Sequence, residues 1–159
     1  MACFTICRPS PIGTLYLSAV PEGICGVSLT PRPVSAPGVL PARERTLLAQ
    51  CAAELGEYFA GARRGFDLPL VLAGTDFQQK IWQYLRGIPY GETRSYGQLA
   101  ALAGNPRACR AVGMANHRNP VMILVPCHRV INANGSLGGF GGGVEAKKIL
   151  LGIEGKNMG

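Results

Sequence analysis

The sequence predicts an α+β fold in two parts, and three observations carry that expectation. Short β-type segments bounded by turn residues are confined to residues 3 to 29, and helix start and stop signals become dense only after residue 75. The third is composition. With 47% hydrophobic and 16% charged residues and a mean hydropathy of +0.16, the 159-residue chain is too apolar for disorder and long enough to bury a core. No stretch approaches the roughly 18 consecutive apolar residues of a membrane span. The start Met1-Ala2-Cys3-Phe4-Thr5 has no basic segment followed by an apolar run. The expectation is a soluble protein in an intracellular, cytoplasmic setting, without a membrane partner.

The first part, residues 1–72, opens with three strands: Phe4 to Cys7, Gly13 to Ser18 and Ile24 to Leu29, separated by Pro-Ser-Pro and Pro-Glu-Gly turns. An antiparallel sheet is the economical arrangement. Pro31, Pro33, Pro37 and Pro41 mark a loop that continues neither helix nor strand. An amphipathic helix over about 43–60 follows, stopped by Gly61, with Leu47, Leu48, Cys51, Leu55 and Phe59 forming its apolar stripe. Phe66 to Leu72 can return to the sheet.

The second part, residues 73–159, begins at an Ala73-Gly74 break. Thr75-Asp76-Phe77-Gln78 is a capping-box pattern that opens a helix with Phe77, Ile81 and Leu85 on one face, closed by Gly87. Ser95-Tyr96-Gly97-Gln98 is a second capping box, and Gly104 ends its helix. Asn105-Pro106 supplies a cap and a first-turn proline for a third helix, Arg107 to about Asn116. Two short helices joined by a Gly-containing turn have the dimensions of a helix-turn-helix, and the second carries Arg107 and Arg110 among the small residues Ala108, Ala111, Gly113 and Ala115. An ordinary helical hairpin would share this pattern. Charge favours the nucleic-acid reading: residues 1–75 hold six basic and five acidic residues, whereas residues 76–159 hold ten basic and four acidic.

Val121 to Val125 is a continuous apolar run between prolines, which predicts a strand buried on both faces. It delivers Pro126-Cys127-His128-Arg129-Val130, a cysteine followed by an imidazole and a guanidinium. Nearby positive charge and a basic partner are what lower a thiol pKa, so Cys127 is the candidate nucleophile. An inert buried cysteine beside a core histidine would read the same in isolation. The other cysteines, Cys3, Cys7, Cys25, Cys51 and Cys109, are expected to remain reduced. Because His117 and His128 lie far from Cys3, Cys7 and Cys25, the spacing predicts no metal site. The glycine-rich run from Gly138 to Gly143 lacks the Gly-Lys-Ser/Thr ending of a phosphate loop.

The Pro126-to-Val130 pentapeptide resembles the active-site signature of the O6-alkylguanine-DNA alkyltransferases, also called methylated-DNA–protein-cysteine methyltransferases. Phe77-Gln78-Gln79, Pro89 to Thr93, Ser95-Tyr96, Ala108 to Gly113, Asn119-Pro120 and Gly138 to Gly143 follow the same family's order. The resemblance is strong over about residues 75–155. It implies an RNase H-like N-terminal domain, and a C-terminal domain that binds duplex DNA containing O6-alkylguanine and moves the alkyl group irreversibly to Cys127. No cofactor would be needed and the protein would act as a monomer; cooperative binding along DNA and activity on O4-alkylthymine are left open.

By the same resemblance His128 would act on Cys127 through a water, Glu154 would orient His128, and Tyr96 would share a proton with the leaving guanine. Asn119 would link the recognition helix to the active-site strand. Arg110 would enter the duplex in place of the flipped nucleotide, with Ser95, Tyr96, Arg107, Ala111, Gly113 and Arg129 completing the DNA contact. Val130, Met122, Phe140, Gly141, Gly142 and Lys147 would bound the guanine pocket. Phe140 stands where many members have tyrosine, Gly141 where some have serine, and Met122 where some have proline, which bears on substrate breadth. Two other readings use parts of the pattern. An alkyltransferase-like lesion binder would lack the acceptor cysteine, and a Cys-His hydrolase would leave the basic helix pair without a task.

Overall fold

A computed structural model describes residues 3–140 and 142–155. The chain divides into two compact units, one up to Ala73 and one from Gly74 onward. In the first unit β1 (Phe4–Arg8), β2 (Leu15–Val20) and β3 (Gly23–Ser28) form an antiparallel sheet in the order β1-β2-β3. Register is set by pairs such as Ile6 with Leu17 and Leu17 with Val27, and slips at a bulge between Ser18 and Ala19. The helix α1 (Ala42–Phe59) lays Leu47, Leu48, Cys51 and Leu55 on this sheet, where all four are buried. The 66–72 segment returns only as a single parallel bridge, Leu70 beside Ile24. Its flanking hydrogen bonds are Ile24 N to Pro69 O at 2.9 Å and Val71 N to Ile24 O at 2.8 Å.

The second unit is mostly helical: α2 (Asp76–Arg86), α3 (Tyr96–Leu102), α4 (Cys109–His117) and α5 (Val144–Ile153). A short parallel pair, β4 (Arg94–Ser95) with β5 (Val130–Ile131), joins them. Both capping boxes form with their reciprocal bonds, Thr75 with Gln78 and Ser95 with Gln98. Ile81, Trp82 and Leu85 are the buried face of α2, while Phe77 stays 36% exposed at its first turn. Trp82 donates its indole N–H to Ala115 O of α4 at 2.8 Å, so the largest core side chain also fixes α4. Gly74 lies against the Trp82 ring, where a Cβ would come within 2.5 Å.

Two expectations are corrected here. The third helix starts at Cys109 rather than Arg107, because Asn105 closes a separate turn: its side chain accepts from Arg107 N at 3.1 Å and its carbonyl from Ala108 N at 2.9 Å. The apolar run Val121 to Val125 is buried at every position but Leu124 and is no strand. Val125 N donates to Val121 O at 3.0 Å, Leu124 N donates to Met122 O at 2.9 Å, and Ile123 sits at φ 73. This is a tight γ-turn of the rare hand, a conformation that costs on the order of 1–3 kcal/mol for a β-branched residue and is held here by full burial of the Ile123 side chain. Apolar content signals burial and does not by itself distinguish a strand from a buried turn.

Candidate active site

The chain folds back on itself to present Cys127. Pro126 at φ −80 and ψ 66 makes an inverse γ-turn, with Cys127 N donating to Val125 O at 2.8 Å, and Cys127–Arg129 form one turn of 3-10 helix. Asn119 fixes this segment from the end of α4. Its Nδ2 donates to Val125 O at 2.7 Å, its Oδ1 accepts from Val121 N at 3.0 Å, and its side chain also reaches the Cys127 sulfur.

Next to the cysteine is a buried polar network. His128 is fully buried and its Nε2 lies 2.6 Å from Glu154 Oε2. Glu154 also accepts from Arg129 Nε at 2.8 Å and Nη2 at 3.1 Å, and its Oε1 accepts from Gly91 N at 3.3 Å. Arg129 Nη1 donates to Ile88 O at 2.7 Å, and the guanidinium lies 5.7 Å from the Tyr90 ring centre. Glu154 is thus a buried hub at the end of α5 and not a solvated terminal carboxylate. Arg129, expected among the DNA contacts, is only 7% exposed and spends its donors inside this network. A guanidinium bound bidentately to a buried carboxylate cannot reach a phosphate without leaving that charge alone.

Burial decides the protonation states. The Cys127 thiol is pushed up to about 11, because desolvation outweighs the Asn119 side chain, the Lys147 charge and the amides of Cys127 and His128, all of which favour thiolate. The expectation of a lowered resting pKa is therefore corrected: the resting form at neutral pH is the thiol. His128 is held below its ordinary value by burial, against the pull of Glu154, so its imidazole is neutral and able to take a proton. Since Glu154 holds Nε2, the nitrogen left for that proton is Nδ1, which has no hydrogen-bond partner among the described residues. Alkylation of Cys127 by iodoacetamide should accordingly be slow in the resting protein at neutral pH and accelerate only toward pH 11, with exposed Cys3 and Cys109 modified first. Peptide mapping across a pH series checks this; rapid, pH-independent labelling of Cys127 near pH 7 would contradict it.

Lys147 is fully buried, and its ammonium donates to Val130 O at 2.6 Å, to Gly139 O at 3.2 Å and to Leu137 O. Burial lowers its pKa to about 8, opposed by the nearby Cys127. Its three donors tie the 137–139 backbone to β5, so it braces the candidate pocket wall rather than sitting on an exposed helix face. Tyr96, the first residue of α3, leans on that wall with its hydroxyl 3.4 Å from Gly139 O. Gly138 is at φ +72, and a Cβ there would meet the Tyr96 ring at 3.3 Å, which is why the wall is glycine at this point. Burial, and then the proximity of Cys127, raises the Tyr96 pKa, so its hydroxyl stays protonated as a donor.

A cavity of about 130 Å³ opens beside these groups, lined by Tyr96, Gly113, Asn116, His117, Gly139 and Phe140. Gly142 is half-buried near it in sequence, and Gly141 lies outside the described residues. Val130 and Met122 are buried; Val130 contributes its carbonyl to Lys147, whereas Met122 belongs to the γ-turn and does not line the cavity. On the outer side of α4, Arg110, Ala111, Met114 and His117 are exposed, as are Arg107 in the turn before it and Arg118 at its C-terminal end, and no carboxylate pairs with the three arginines among the described residues. Ser95 is occupied as the cap of α3. Sequence reasoning missed Asn116 and Arg118. Asn116 is buried and donates to Cys127 O at 3.3 Å, a role hidden until the fold brings α4 against the 3-10 turn.

Comparison with known proteins agrees with this geometry. Residues 76–156 match the family model described as 6-O-methylguanine DNA methyltransferase, DNA binding domain, and residues 5–72 match that of the same enzyme's ribonuclease-like domain. The methylated-DNA–protein-cysteine methyltransferase of Methanosarcina acetivorans is 45% identical over 92% of this chain and 94% of its own length. That of Mycobacterium leprae is 50% identical over 91% and 88%. Among solved structures, the Mycobacterium tuberculosis O6-methylguanine methyltransferase superposes with a TM-score of 0.83 at 41% identity, covering 99% of this chain and 96% of that one. The same organism's protein in complex with DNA gives 0.82 at 44% identity, covering 96% and 91%. The chain belongs to the 6-O-methylguanine DNA methyltransferase family.

Proposed function

We propose that this protein repairs DNA by moving the alkyl group from O6 of guanine to its own Cys127, once per molecule. The observation that carries the reading is the juxtaposition of a buried thiol, a neutral imidazole gripped by a buried carboxylate, and a base-sized cavity beneath an exposed basic helix. Cys127 loses its proton toward His128 Nδ1 as the lesion enters, and Glu154 stabilises the imidazolium that forms. The sulfur attacks the alkyl carbon, an S–C bond forms as the C–O6 bond breaks, and the departing guanine takes up a proton with Tyr96 as the adjacent donor. The product thioether has no leaving group, so the cycle ends there.

An O6 atom inside a base pair is out of reach of a buried sulfur, so the nucleotide is turned out of the stack. Arg110 projects from the exposed side of α4 and fills the gap, while Arg107 and Arg118 hold phosphates. The protein acts as a monomer in this scheme. The test separates the two tasks: Arg110→Ala is expected to slow repair of O6-methylguanine in duplex DNA by about 10- to 100-fold while reaction with free O6-benzylguanine changes little, as removal of a side chain that offsets lost stacking implies. Equal losses on both substrates would remove the duplex-entry role.

A further inference from the structure

Of the six cysteines the transfer chemistry uses only Cys127, and two of the others meet on the sheet of the first unit. A β-bulge brings them together. Ser18 of β2 faces Gly26 and Ala19 faces Ile24, so Cys25 is the extra residue of β3, outside the ladder register and turned away from it. The Cys3 thiol, just ahead of the first paired residue Phe4, reaches the Cys25 sulfur as a hydrogen-bond partner. Cys3 is exposed and Cys25 half-buried. The Arg32 guanidinium shares this corner: it acts on Cys25 electrostatically, and its Nη1 is 3.7 Å from where a Cβ on Gly26 would stand. Cys7 is no rival for Cys3. It lies four residues further along the extended chain, about 13 Å away at the usual rise, whereas a disulfide spans roughly 7 Å at most between Cα atoms. Because Cys3 precedes the ladder, its backbone can close on Cys25 without breaking a strand pair.

We infer that Cys3 and Cys25 form a thiol–disulfide exchange site, which takes a low-molecular-weight disulfide and closes to a bridge between the start of β1 and the β3 bulge. The exposed Cys3 thiolate attacks one sulfur of the small disulfide: an S–S bond to Cys3 forms, the reagent's S–S bond breaks, and one small thiolate leaves and takes a proton from water. Cys25 then gives its proton to solvent and attacks the Cys3 sulfur, which releases the second small thiol. Two protein thiols are oxidised by two electrons, and one small disulfide is reduced to two thiols. Local charge favours this order. In the reduced pair, burial and then the Cys3 charge hold the Cys25 thiol above its ordinary value, against the pull of Arg32. Once Cys3 carries the mixed disulfide its charge is gone, and Arg32 is left to favour the Cys25 thiolate at the moment it must attack. Both residues belong to the first unit, and the exchange stands whether or not Cys127 takes an alkyl group.

The test treats the reduced full-length protein with oxidised glutathione, blocks the remaining thiols with N-ethylmaleimide, and cleaves after Glu22, which parts Cys25 from Cys3 and Cys7. The two fragments are expected to stay joined until a reductant is added, at a mass two hydrogens below their sum, with little glutathione retained on Cys3. The link should persist in Cys7→Ser and vanish in Cys3→Ser, and Cys25→Ser should leave glutathione standing on Cys3. Loop length alone favours a Cys3–Cys7 bridge, so the ratio of Cys3–Cys25 to Cys3–Cys7 product should be at least about tenfold higher in the folded protein than in urea. Separate wild-type fragments with glutathione held on Cys3 would overturn the inference. So would a link that survives in Cys3→Ser, or a product ratio that is the same with and without urea.

Discussion

Cys127→Ala is expected to abolish alkyl transfer and to leave binding to lesion-containing duplex essentially unchanged. The sulfur is the only atom of the site that forms a bond to the alkyl carbon. Exposed Arg110 on α4, with Arg107 before the helix and Arg118 after it, is untouched by its removal. Folding should survive as well. The side chain lost is small, and what holds the 3-10 turn does not involve it: the backbone bonds Cys127 N to Val125 O at 2.8 Å and Arg129 N to Pro126 O at 3.0 Å, and the Asn119 side chain, whose Nδ2 donates to Val125 O at 2.7 Å. Residual transfer at more than about a thousandth of the wild-type rate would require a second acceptor, since losing a nucleophile removes most of the enhancement it provides. Radiolabelled methyl transfer, measured beside a gel-shift titration on the same duplex, reads both halves of this expectation.

Glu154→Ala has the second largest expected effect, and it falls on stability and rate together. The carboxylate satisfies Arg129 twice, His128 once and Gly91 N once. Removing it leaves a 7%-exposed guanidinium with Ile88 O as its named acceptor. Breaking a buried ion pair from one side costs about 3–5 kcal/mol, a large share of a typical domain's 5–15. Without the carboxylate, His128 loses its orientation and the partner for its developing charge, and transfer should fall by about 10²- to 10⁴-fold. The double variant Arg129→Met/Glu154→Leu separates the two effects. Replacing both ions by apolar side chains should recover much of the stability, as apolar replacement of buried pairs often does, and none of the rate. Urea unfolding and single-turnover kinetics on the three proteins decide it; a Glu154→Ala protein with wild-type stability and rate would remove the network from the account.

Much of the fold could be read in the sequence because local chemistry determines it. Thr75 with Gln78 and Ser95 with Gln98 name helix starts by their side-chain bonds, and Leu47, Leu48, Cys51 and Leu55 name a buried helical face by their spacing. The Val121 to Val125 turn was not readable, since a run of apolar residues reports burial and Ile123 is held at φ 73 by tertiary packing. Cys127 and His128 stood out because they are adjacent in the chain. The rest of the site depends on distance in sequence: Glu154 reaches His128 from 26 positions away, and Lys147 reaches Val130 from 17. Arg129 shows the limit most plainly. The resemblance sets it among the DNA contacts, and only the position of Glu154 reveals that its charge is spent internally. The raised Cys127 pKa has the same origin, because desolvation is a property of the packed fold and not of neighbouring letters.

Irreversible transfer to one sulfur is measured directly by intact-protein mass spectrometry after incubation with excess duplex containing O6-methylguanine. The expected result is a gain equal to one methylene over the thiol, saturating at one per chain, with peptide mapping placing it on Cys127. An unchanged mass despite lesion-selective binding, or a methyl on any other residue, would contradict it.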